Sequence, residues 1–285
     1  MERRTITSQI DTVLALTHRL DALTHSIGKA WRVVGTAISF ATAGLISLSL
    51  ALVVFPLVRL TEGSCEEREI RSQRAVHRAV RFYMVVLRRL GVMRLQVHGV
   101  EKLGEPGLLV VANHPTLIDA LILMSFMPQA DCVVKASHYD NFWLGGAVKG
   151  AGYIPNRSGP QVVEECVERL RRGRSVLIFP EGTRSPKDEL GHFARGAAYI
   201  ALHAGCDPVP VTIECEPATL YRGLAWWQVP ERRFTVTINV DPPLPIDEAV
   251  SPGTSRPRAT RAITNMLCDH FERRLGFVRD QRTPG

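Results

Sequence analysis

The chain has 285 residues, with 35 Lys and Arg against 28 Asp and Glu and a formal net charge of +7. That length suffices for one large or two small folded domains, and it excludes a peptide hormone or a disulfide-stapled mini-domain. Apolar residues make up 45% of the sequence and charged residues 22%, proportions that exclude wholesale disorder.

The basic residues indicate what kind of partner the protein binds, and the cysteines indicate whether its thiols are reduced. Five of the 35 basic residues are Lys and 30 are Arg, whose forked side chain binds phosphate well. This excess of Arg is explained either by an anionic partner or by a coding bias. No recognition helix or aromatic platform supports nucleic-acid binding, so we predict no nucleic-acid partner. The six Cys form no C-x-x-C pair, which argues against a zinc knuckle or a thioredoxin-like site and predicts reduced thiols.

The N-terminal part of the chain is predicted to be helical and membrane-associated. Residues 5–30 place apolar side chains at helical spacing, so they either lie on a membrane surface or pack on the globular part. Residues 33–58 carry no charged side chain and are long enough for one membrane span. Glycines and Pro56 within this run also allow a kinked segment set in one leaflet. More Arg follow the run than precede it, which predicts a cytoplasmic-membrane protein with its C-terminal side in the cytosol.

The rest of the chain alternates strand and helix patterns. Residues 65–90 are predicted to form an Arg-rich helix that suits anionic headgroups or solvent. From about residue 92 the alternation predicts an α/β fold with a mixed, mainly parallel sheet flanked by helices. Predicted strands cover 95–100, 108–112, 132–134, 176–179, 209–213 and 234–240, and predicted helices cover 116–127, 142–150, 160–172, 195–204 and 256–275. We therefore divide the chain into an N-terminal helical membrane-anchoring region, 1–62, and an α/β domain, 63–285.

A His and an Asp follow directly after the predicted strand 108–112. Ligands of α/β sheets gather at the carboxyl ends of strands, so His114 and Asp119 lie where an active site is expected. Five residues separate them, about 140° around a helix, so the pair can meet only if His114 lies in the turn before the helix. Asp119 would then accept from one ring nitrogen and leave the other as a general base. A surface His beside a helix-start Asp is the other interpretation.

Cations and hydroxyl groups follow other predicted strands. The block after strand 176–179 combines a flexible backbone, hydroxyl groups and a guanidinium, which are the parts of a phosphate cradle. Its members are Glu181, Gly182, Thr183, Arg184 and Ser185. Lys135 ends another strand, and Arg157 follows a short one. Each cation alone suits any solvated surface, but their repetition at strand ends favours an anion site.

Four blocks occur in order between about residues 95 and 215. They are Asn113-His114-x4-Asp119, Gly152-Tyr153-Ile154-Pro155-Asn156-Arg157, Phe179-Pro180-Glu181-Gly182-Thr183-Arg184-Ser185 and Val209-Pro210-Val211. These blocks resemble those of the glycerolipid acyltransferases, the family of bacterial 1-acylglycerol-3-phosphate O-acyltransferase. The resemblance implies a membrane-embedded helical N-terminal motif and a cytosolic α/β domain.

The resemblance also implies a reaction, which is acyl transfer without a covalent enzyme intermediate. His114 would deprotonate the acceptor hydroxyl, which attacks the thioester of acyl-CoA or acyl-carrier protein, and Asp119 would orient the imidazole. The residues implied in holding the acceptor's phosphate are Lys135, Arg157, Glu181, Gly182, Thr183 and Arg184. The implied partners are a lysophospholipid, the acyl donor and membrane lipids, with no metal and no further cofactor.

The sequence leaves more than one acceptor and more than one class of protein open. The favoured acceptor is 1-acylglycerol-3-phosphate, which would give phosphatidate. Many family members carry a polar residue such as Ser where Pro115 and Thr116 stand, so another lysolipid, such as an amino-acid lipid, is an alternative acceptor. A hydrolase or phosphatase using His114 and Asp119 around a metal lacks further ligands at helpful spacing. A non-catalytic lipid-binding membrane protein is the alternative from a different class.

Overall fold

The structure, a computed structural model, describes residues 2–157, 161–187 and 189–277, and for residues 2–23 and 25 it describes the backbone alone. The side chains behind the apolar spacing of residues 5–23 therefore lie outside the described part, as do residues 278–285 of the predicted domain 63–285. The described residues form the sheet, the flanking helices and the candidate site.

Within the described residues, seven strands form one mixed sheet. The strands are β1 (Met93–His98), β2 (Leu109–Ala112), β3 (Asp131–Lys135), β4 (Ile154–Asn156), β5 (Val176–Ile178), β6 (Pro208–Glu216) and β7 (Phe234–Val240). Their order across the sheet is β1-β7-β6-β2-β5-β3-β4. The strands from β6 to β4 are mutually parallel, β7 is antiparallel to β6, and β1 is parallel to β7. The predicted mixed, mainly parallel sheet flanked by helices is confirmed.

Helices cover both faces of the sheet. The helices are α1 (Glu2–Ser49), α2 (Phe55–Arg59), α3 (Cys65–Arg89), α4 (Asp119–Met124), α5 (Gly145–Gly150), α6 (Gln161–Arg171), α7 (Gly196–Ala204), α8 (Ile246–Ala249) and α9 (Arg256–Leu275). Successive side chains of a strand point to opposite faces. Accordingly, Val110 and Ala112 of β2 join the core beneath α3 and α4, whereas Leu109 and Val111 join the core beneath α6, α7 and α9. Because both faces of β2 are buried, its sequence is a continuous apolar run.

The N-terminal helical patterns form one continuous rod. α1 ends at Ser49, a π-helical turn covers Leu50–Val54, and α2 continues the rod to Arg59. In the π turn the N–H of Phe55 donates to a carbonyl five residues back. Pro56, at the start of α2, has no N–H and its ring would clash with a carbonyl four residues back, so the wider turn accommodates it. By length and composition, Ser26–Arg59 is suited to cross a membrane.

The apolar part of this rod packs lengthwise against the α/β domain. Its contacts, in chain order, are Trp31 with Leu90, Gly35 with Val92, Phe40 with Trp226, Ser47 with Trp143 and Phe55 with Gly150. From Trp31 to Phe55 these contacts extend over about 36 Å of helix. The other side of the rod exposes apolar side chains, among them Ile27, Val34, Ile38, Leu45, Leu52 and Leu57. Up to the π turn their spacing follows the helical repeat, so they form one apolar stripe that faces away from the domain.

A buried ion cluster fixes α3 to the amino end of β3. Asp131, the first residue of β3, is fully buried and accepts hydrogen bonds from Arg169 at 3.1 Å and from two nitrogens of Arg174 at 2.7 Å. From α3, Gln73 donates to Asp131 at 2.8 Å, and Glu69 accepts from Arg169 at 2.6 Å and from Arg174 at 3.0 Å. Buried charges require such pairing, because an unpaired charge is strongly disfavoured in the interior.

Candidate active site

The candidate site lies at the carboxyl edge of the central strands. The segment after β2 carries His114, and the segment after β5 carries the loop 179–185. Because β2 and β5 are adjacent and parallel, these two segments leave the sheet side by side. The structure therefore brings the first and third sequence blocks together.

His114 and Asp119 form a hydrogen-bonded pair. His114 lies in the turn before α4, Asp119 is the first residue of α4, and Nδ1 of the imidazole lies 2.9 Å from Oδ2 of the carboxylate. Asp119 is fully buried, whereas the His114 side chain is 20% exposed. The same Oδ2 accepts the backbone N–H of Thr116 at 2.6 Å. Because the carboxylate acts as an acceptor, Nδ1 carries the ring proton and Nε2 is left as the basic nitrogen.

Two further side chains hold this turn, and the sequence analysis assigned neither role. The hydroxyl of Thr116 donates to Oδ1 of Asp119. The side-chain amide of Asn113 donates to the carbonyl of Ile213 at 2.8 Å and accepts its N–H at 2.7 Å, so it continues the pairing of β2 with β6 after β2 ends. The signal in the sequence was an Asn, which carries both a donor and an acceptor, directly after a central strand.

The loop after β5 is bonded to the His114 turn. Oε1 of Glu181 accepts the backbone N–H of His114 at 2.9 Å and the hydroxyl of Ser185 at 2.7 Å, and Oε2 accepts the N–H of Gly191 at 2.9 Å. The N–H of Ser185 donates to the carbonyl of His114 at 2.7 Å. The ring of Phe179 stacks on the imidazole with centroids 4.4 Å apart. Together these contacts fix the backbone and the ring plane of His114.

The contacts of Glu181 bear on its predicted role in binding phosphate, which stays a prediction. The resemblance placed it among the residues that hold the acceptor's phosphate, but both of its oxygens accept hydrogen bonds from the protein, and a carboxylate repels an anion. Burial raises the pKa of Glu181, and hydrogen bonds from Ser185, His114 and Gly191 oppose that rise. Through these hydrogen bonds Glu181 positions the His114 turn.

Arg184 joins the loop to the segment 217–230, which lies between β6 and β7. Its Nη1 donates to the carbonyls of Leu220 at 2.8 Å and Tyr221 at 3.0 Å. The Leu220 carbonyl also accepts the N–H of Leu117 at 3.2 Å. Leu220 has a φ of +55°, a left-handed conformation that is uncommon for a residue with a side chain. One carbonyl thus connects Arg184 to the turn that contains the His–Asp pair.

The other predicted phosphate-binding residues follow three neighbouring strands of the sheet, β5, β3 and β4. Gly182 and Thr183 are exposed in the loop after β5, and Gly182 has a φ of +64°, which a side chain would strain. Lys135 ends β3, the strand beside β5. Arg157 follows β4, two strands from β5 and therefore about 10 Å away at strand spacing. Lys135 therefore ends the strand beside the third block, and Arg157 follows the next strand across the sheet.

His138 is a residue near the site that the sequence analysis missed. It ends the 3₁₀ turn Ala136–His138 that follows β3. Its pKa is lowered first by burial and then by the positive charges of Lys135 and His114, so both side chains lie near enough to act on its charge. The available signal was its place just after a strand end, the same signal that identified Lys135.

In residues 2–157, 161–187 and 189–277, no three His, Cys, Asp or Glu side chains are arranged to hold a metal ion.

Known proteins resemble this chain over the region that builds the site. A profile described as Acyltransferase matches residues 94–214. A chloroplastic 1-acyl-sn-glycerol-3-phosphate acyltransferase of Arabidopsis thaliana is 31% identical over 127 residues, which are 42% of this chain and 36% of that protein. A probable 1-acyl-sn-glycerol-3-phosphate acyltransferase of Mycoplasma pneumoniae is 30% identical over 190 residues, 59% of this chain and 69% of that protein. The chain belongs to the glycerolipid acyltransferase family.

The family resemblance read from the four sequence blocks is thus confirmed. A solved structure, that of the 1-acyl-sn-glycerophosphate acyltransferase PlsC from Thermotoga maritima, matches with a TM-score of 0.65 and 17% identity. The match covers 89% of this chain and all of that chain, which shows that the two chains have the same fold. Against the first curated relatives, including one of Pseudomonas aeruginosa that is 30% identical, the chain spans about a third to a half of their length.

Proposed function

We propose that this chain is an O-acyltransferase that moves a fatty acyl group from acyl-CoA or acyl-carrier protein to the free hydroxyl of a lysophospholipid. The proposed acceptor is 1-acylglycerol-3-phosphate, after which the relatives in Arabidopsis thaliana and Pseudomonas aeruginosa are named, and the product is phosphatidate. The observation that carries the proposal is the 2.9 Å pair of His114 and Asp119 at the carboxyl edge of the sheet. The proposal needs no metal and no cofactor besides the acyl donor.

His114 acts as the general base in the proposed reaction. Its Nε2 takes the proton of the acceptor hydroxyl while the hydroxyl oxygen attacks the thioester carbonyl carbon. The buried carboxylate of Asp119 stabilises the imidazolium that forms. The tetrahedral intermediate then collapses, the carbon–sulfur bond breaks, and the imidazolium gives its proton to the departing thiolate. A general base of this kind contributes roughly 10²–10⁴-fold to the rate.

The acceptor's phosphate is proposed to bind beside the loop 179–185. Nη1 of Arg184 is bonded to protein carbonyls, so the phosphate would be held through Nε and Nη2 of the same guanidinium. Thr183 would donate its hydroxyl, Gly182 allows close backbone approach, and Lys135 adds a positive charge from the neighbouring strand. Arg157 contributes only to the positive potential, because it lies two strands farther out.

The rod formed by α1, the π turn and α2 is proposed to lie in one leaflet of the cytoplasmic membrane, within the anchoring region 1–62, with the α/β domain in the cytosol. Its contacts with the domain extend over about 36 Å, whereas the hydrocarbon core is about 30 Å thick. A rod that crossed the bilayer would therefore carry polar loops of the domain into hydrocarbon, where their backbone groups could not be hydrated. Tags at the two chain ends should react with a membrane-impermeant reagent from the same side; labelling from opposite sides would contradict this arrangement.

The proposed reaction is tested by acyl transfer in membranes that contain the protein. Wild type should acylate a lysophospholipid from a labelled thioester donor, and His114→Ala should reduce the rate to background. His98→Ala, which removes a His from the outermost strand β1, is the matched control and should leave the rate unchanged. Full activity of His114→Ala would refute the general base, and absence of transfer with every acceptor and donor would favour a lipid-binding protein. A panel of lysophospholipids and amino-acid lysolipids, each with both donor types, identifies the acceptor.

A further inference from the structure

Two pairs of neighbouring aromatic residues lie exposed at the carboxyl edge of the sheet. Phe142 and Trp143 follow β3 and its 3₁₀ turn, and their rings meet edge to face with centroids 5.2 Å apart. Trp226 and Trp227 follow β6 in the segment 217–230, and their rings meet in the same way at 5.6 Å. Phe142 is 79% exposed, and Trp143 and Trp227 are each more than half exposed. Contiguous exposed apolar surface marks a contact with a partner or a membrane.

Hydrogen bonds within each segment fix the backbone that carries these rings. Oδ1 of Asn141 accepts the backbone N–H groups of Trp143 at 2.9 Å and Leu144 at 3.0 Å. Oε1 of Gln228 accepts the backbone N–H of Ala225 at 2.8 Å. Side chains that accept N–H groups two or three residues away stabilise tight turns. The exposed rings therefore lie on defined turns, which is what a docking surface requires.

Both aromatic pairs lie beside the rod formed by α1, the π turn and α2. The ring of Trp143 lies 3.6 Å from the point where a Cβ of Gly44 would be, and the ring of Trp226 packs on Phe40 with centroids 5.9 Å apart. Leu45, the residue after Gly44, belongs to the exposed apolar stripe of the rod. The first pair therefore borders this stripe, and the exposed apolar surface of the rod continues onto the α/β domain.

Positive charges accompany the second pair. Lys29 of α1 and Lys187 line an open groove of about 420 Å³ together with Trp227 and Tyr221, and Nζ of Lys187 lies 6.0 Å from the centroid of the Tyr221 ring. Trp and Tyr are enriched where a membrane meets water, and nearby cations attract anionic headgroups. This composition, joined to a stripe already proposed to lie in lipid, favours a lipid leaflet over a protein partner.

We propose that the aromatic pairs 142–143 and 226–227 are membrane contacts made by the α/β domain itself, in the leaflet that holds the rod. This inference rests on the proposed placement of the rod and adds that residues of the domain enter the membrane interface. A cylinder lying in a leaflet is free to turn about its own axis. Contacts beside the cylinder remove that freedom, so the two pairs give the domain one orientation on the membrane.

The test is quenching of tryptophan fluorescence by brominated lipids, with the full chain in vesicles of phosphatidylcholine and phosphatidylglycerol. The chain has four Trp, so changing three of them to Phe leaves one reporter, Trp143 in one variant and Trp227 in another. Interfacial side chains lie about 5–10 Å below the headgroup boundary, so each reporter should lose at least about half of its emission with lipids brominated near the carbonyl end of the acyl chain and less with lipids brominated near the methyl end.

Two matched variants, in which all four native Trp are changed to Phe, carry a reporter elsewhere. Leu45→Trp reports on the stripe of the rod and should be quenched. Tyr199→Trp reports from α7, which packs on the opposite face of the sheet from α3, and it should keep its emission although Tyr199 is 40% exposed.

The outcomes separate this inference from the proposals on which it rests. If Leu45→Trp is quenched and Trp143 and Trp227 keep their emission, the inference is overturned and the placement of the rod stands. If no reporter is quenched, both are overturned. Equal quenching of Tyr199→Trp would overturn the single orientation, and emission of Trp143 and Trp227 that changes with protein concentration but not with bromine would identify a second copy of this chain as the partner instead. Because quenching needs no turnover, failure of acyl transfer does not affect the result.

Discussion

Asp119→Asn separates the charge of Asp119 from its geometry. An amide keeps the volume of the side chain, and its oxygen can still accept from Nδ1 of His114 and from the N–H of Thr116 at the position of Oδ2. Its NH₂ group then takes the place of Oδ1, where the hydroxyl of Thr116 can turn to accept. The variant should therefore fold and hold the imidazole much as wild type does. Only the negative charge opposite the imidazolium is lost.

The size of that loss follows from the separation of the two charges. With a nitrogen–oxygen distance of 2.9 Å, the centres of the charges lie about 4 Å apart, which corresponds to about 4 kcal/mol at an effective dielectric constant of about 20. At 1.36 kcal/mol for each factor of ten, kcat/KM of Asp119→Asn should fall by about 10³-fold. Initial rates of acyl transfer from a labelled thioester, measured over a range of acceptor concentrations, give this ratio.

A matched variant keeps the charge and removes a neighbouring hydrogen bond. Thr116→Val deletes the hydroxyl that donates to Oδ1 of Asp119 and should lower kcat/KM by about tenfold or less. If Asp119→Asn stays within tenfold of wild type while it unfolds at the same temperature, the carboxylate does not stabilise an imidazolium in the transition state. If both variants lose activity equally, the turn geometry outweighs the charge.

Two further predictions concern stability, measured by thermal and urea unfolding in detergent. Glu181→Gln should set an amide N–H against the N–H of Gly191 and lower the free energy of unfolding by about 1–3 kcal/mol. Burial raises the pKa of Glu181, so the folded state is favoured while this carboxyl is protonated, and that stabilisation is lost as pH rises through the raised pKa. The free energy of unfolding of wild type should therefore fall in a scan from about pH 4 to about pH 7, and Glu181→Gln should not show this fall. Arg174→Ala should lower the free energy of unfolding by about 3–5 kcal/mol, since it leaves the buried Asp131 underpaired, whereas Arg172→Ala, at an exposed ion pair, should leave it nearly unchanged. Equal effects of the two Arg variants would show that the buried cluster does not stabilise the fold.

The strand patterns in the sequence predicted most of the fold. They also predicted that His114 and Asp119 meet at the centre of the site. β7 has the predicted bounds, 234–240, because its alternation of buried and partly exposed residues matches the pleat of a strand. The meeting of His114 and Asp119 was predictable because a strand end and a helix start fix both residues within one short turn. Local sequence was sufficient here.

Contacts between distant segments were not predictable. Nothing in the block Glu181–Arg184 indicates that Glu181 accepts from the His114 backbone while Arg184 donates to the carbonyl of Leu220. The apolar run 33–58 has the composition of a membrane span, yet no periodic feature reveals that one side of the helix packs on the α/β domain. Both outcomes depend on shapes that only the folded chain creates.

The cluster around Asp131 lies at the amino edge of the sheet, and His114 lies at the carboxyl edge. The charges that attach α3 to the sheet are therefore different residues from the charges proposed to meet a substrate. On the proposed function, a substitution of the exposed Thr183 would alter which lipid binds without loosening the helix scaffold, and a substitution near Asp131 would weaken the scaffold without altering lipid choice. On the proposed function, the residues that stabilise the fold and the residues that select the acceptor therefore lie at opposite ends of one sheet.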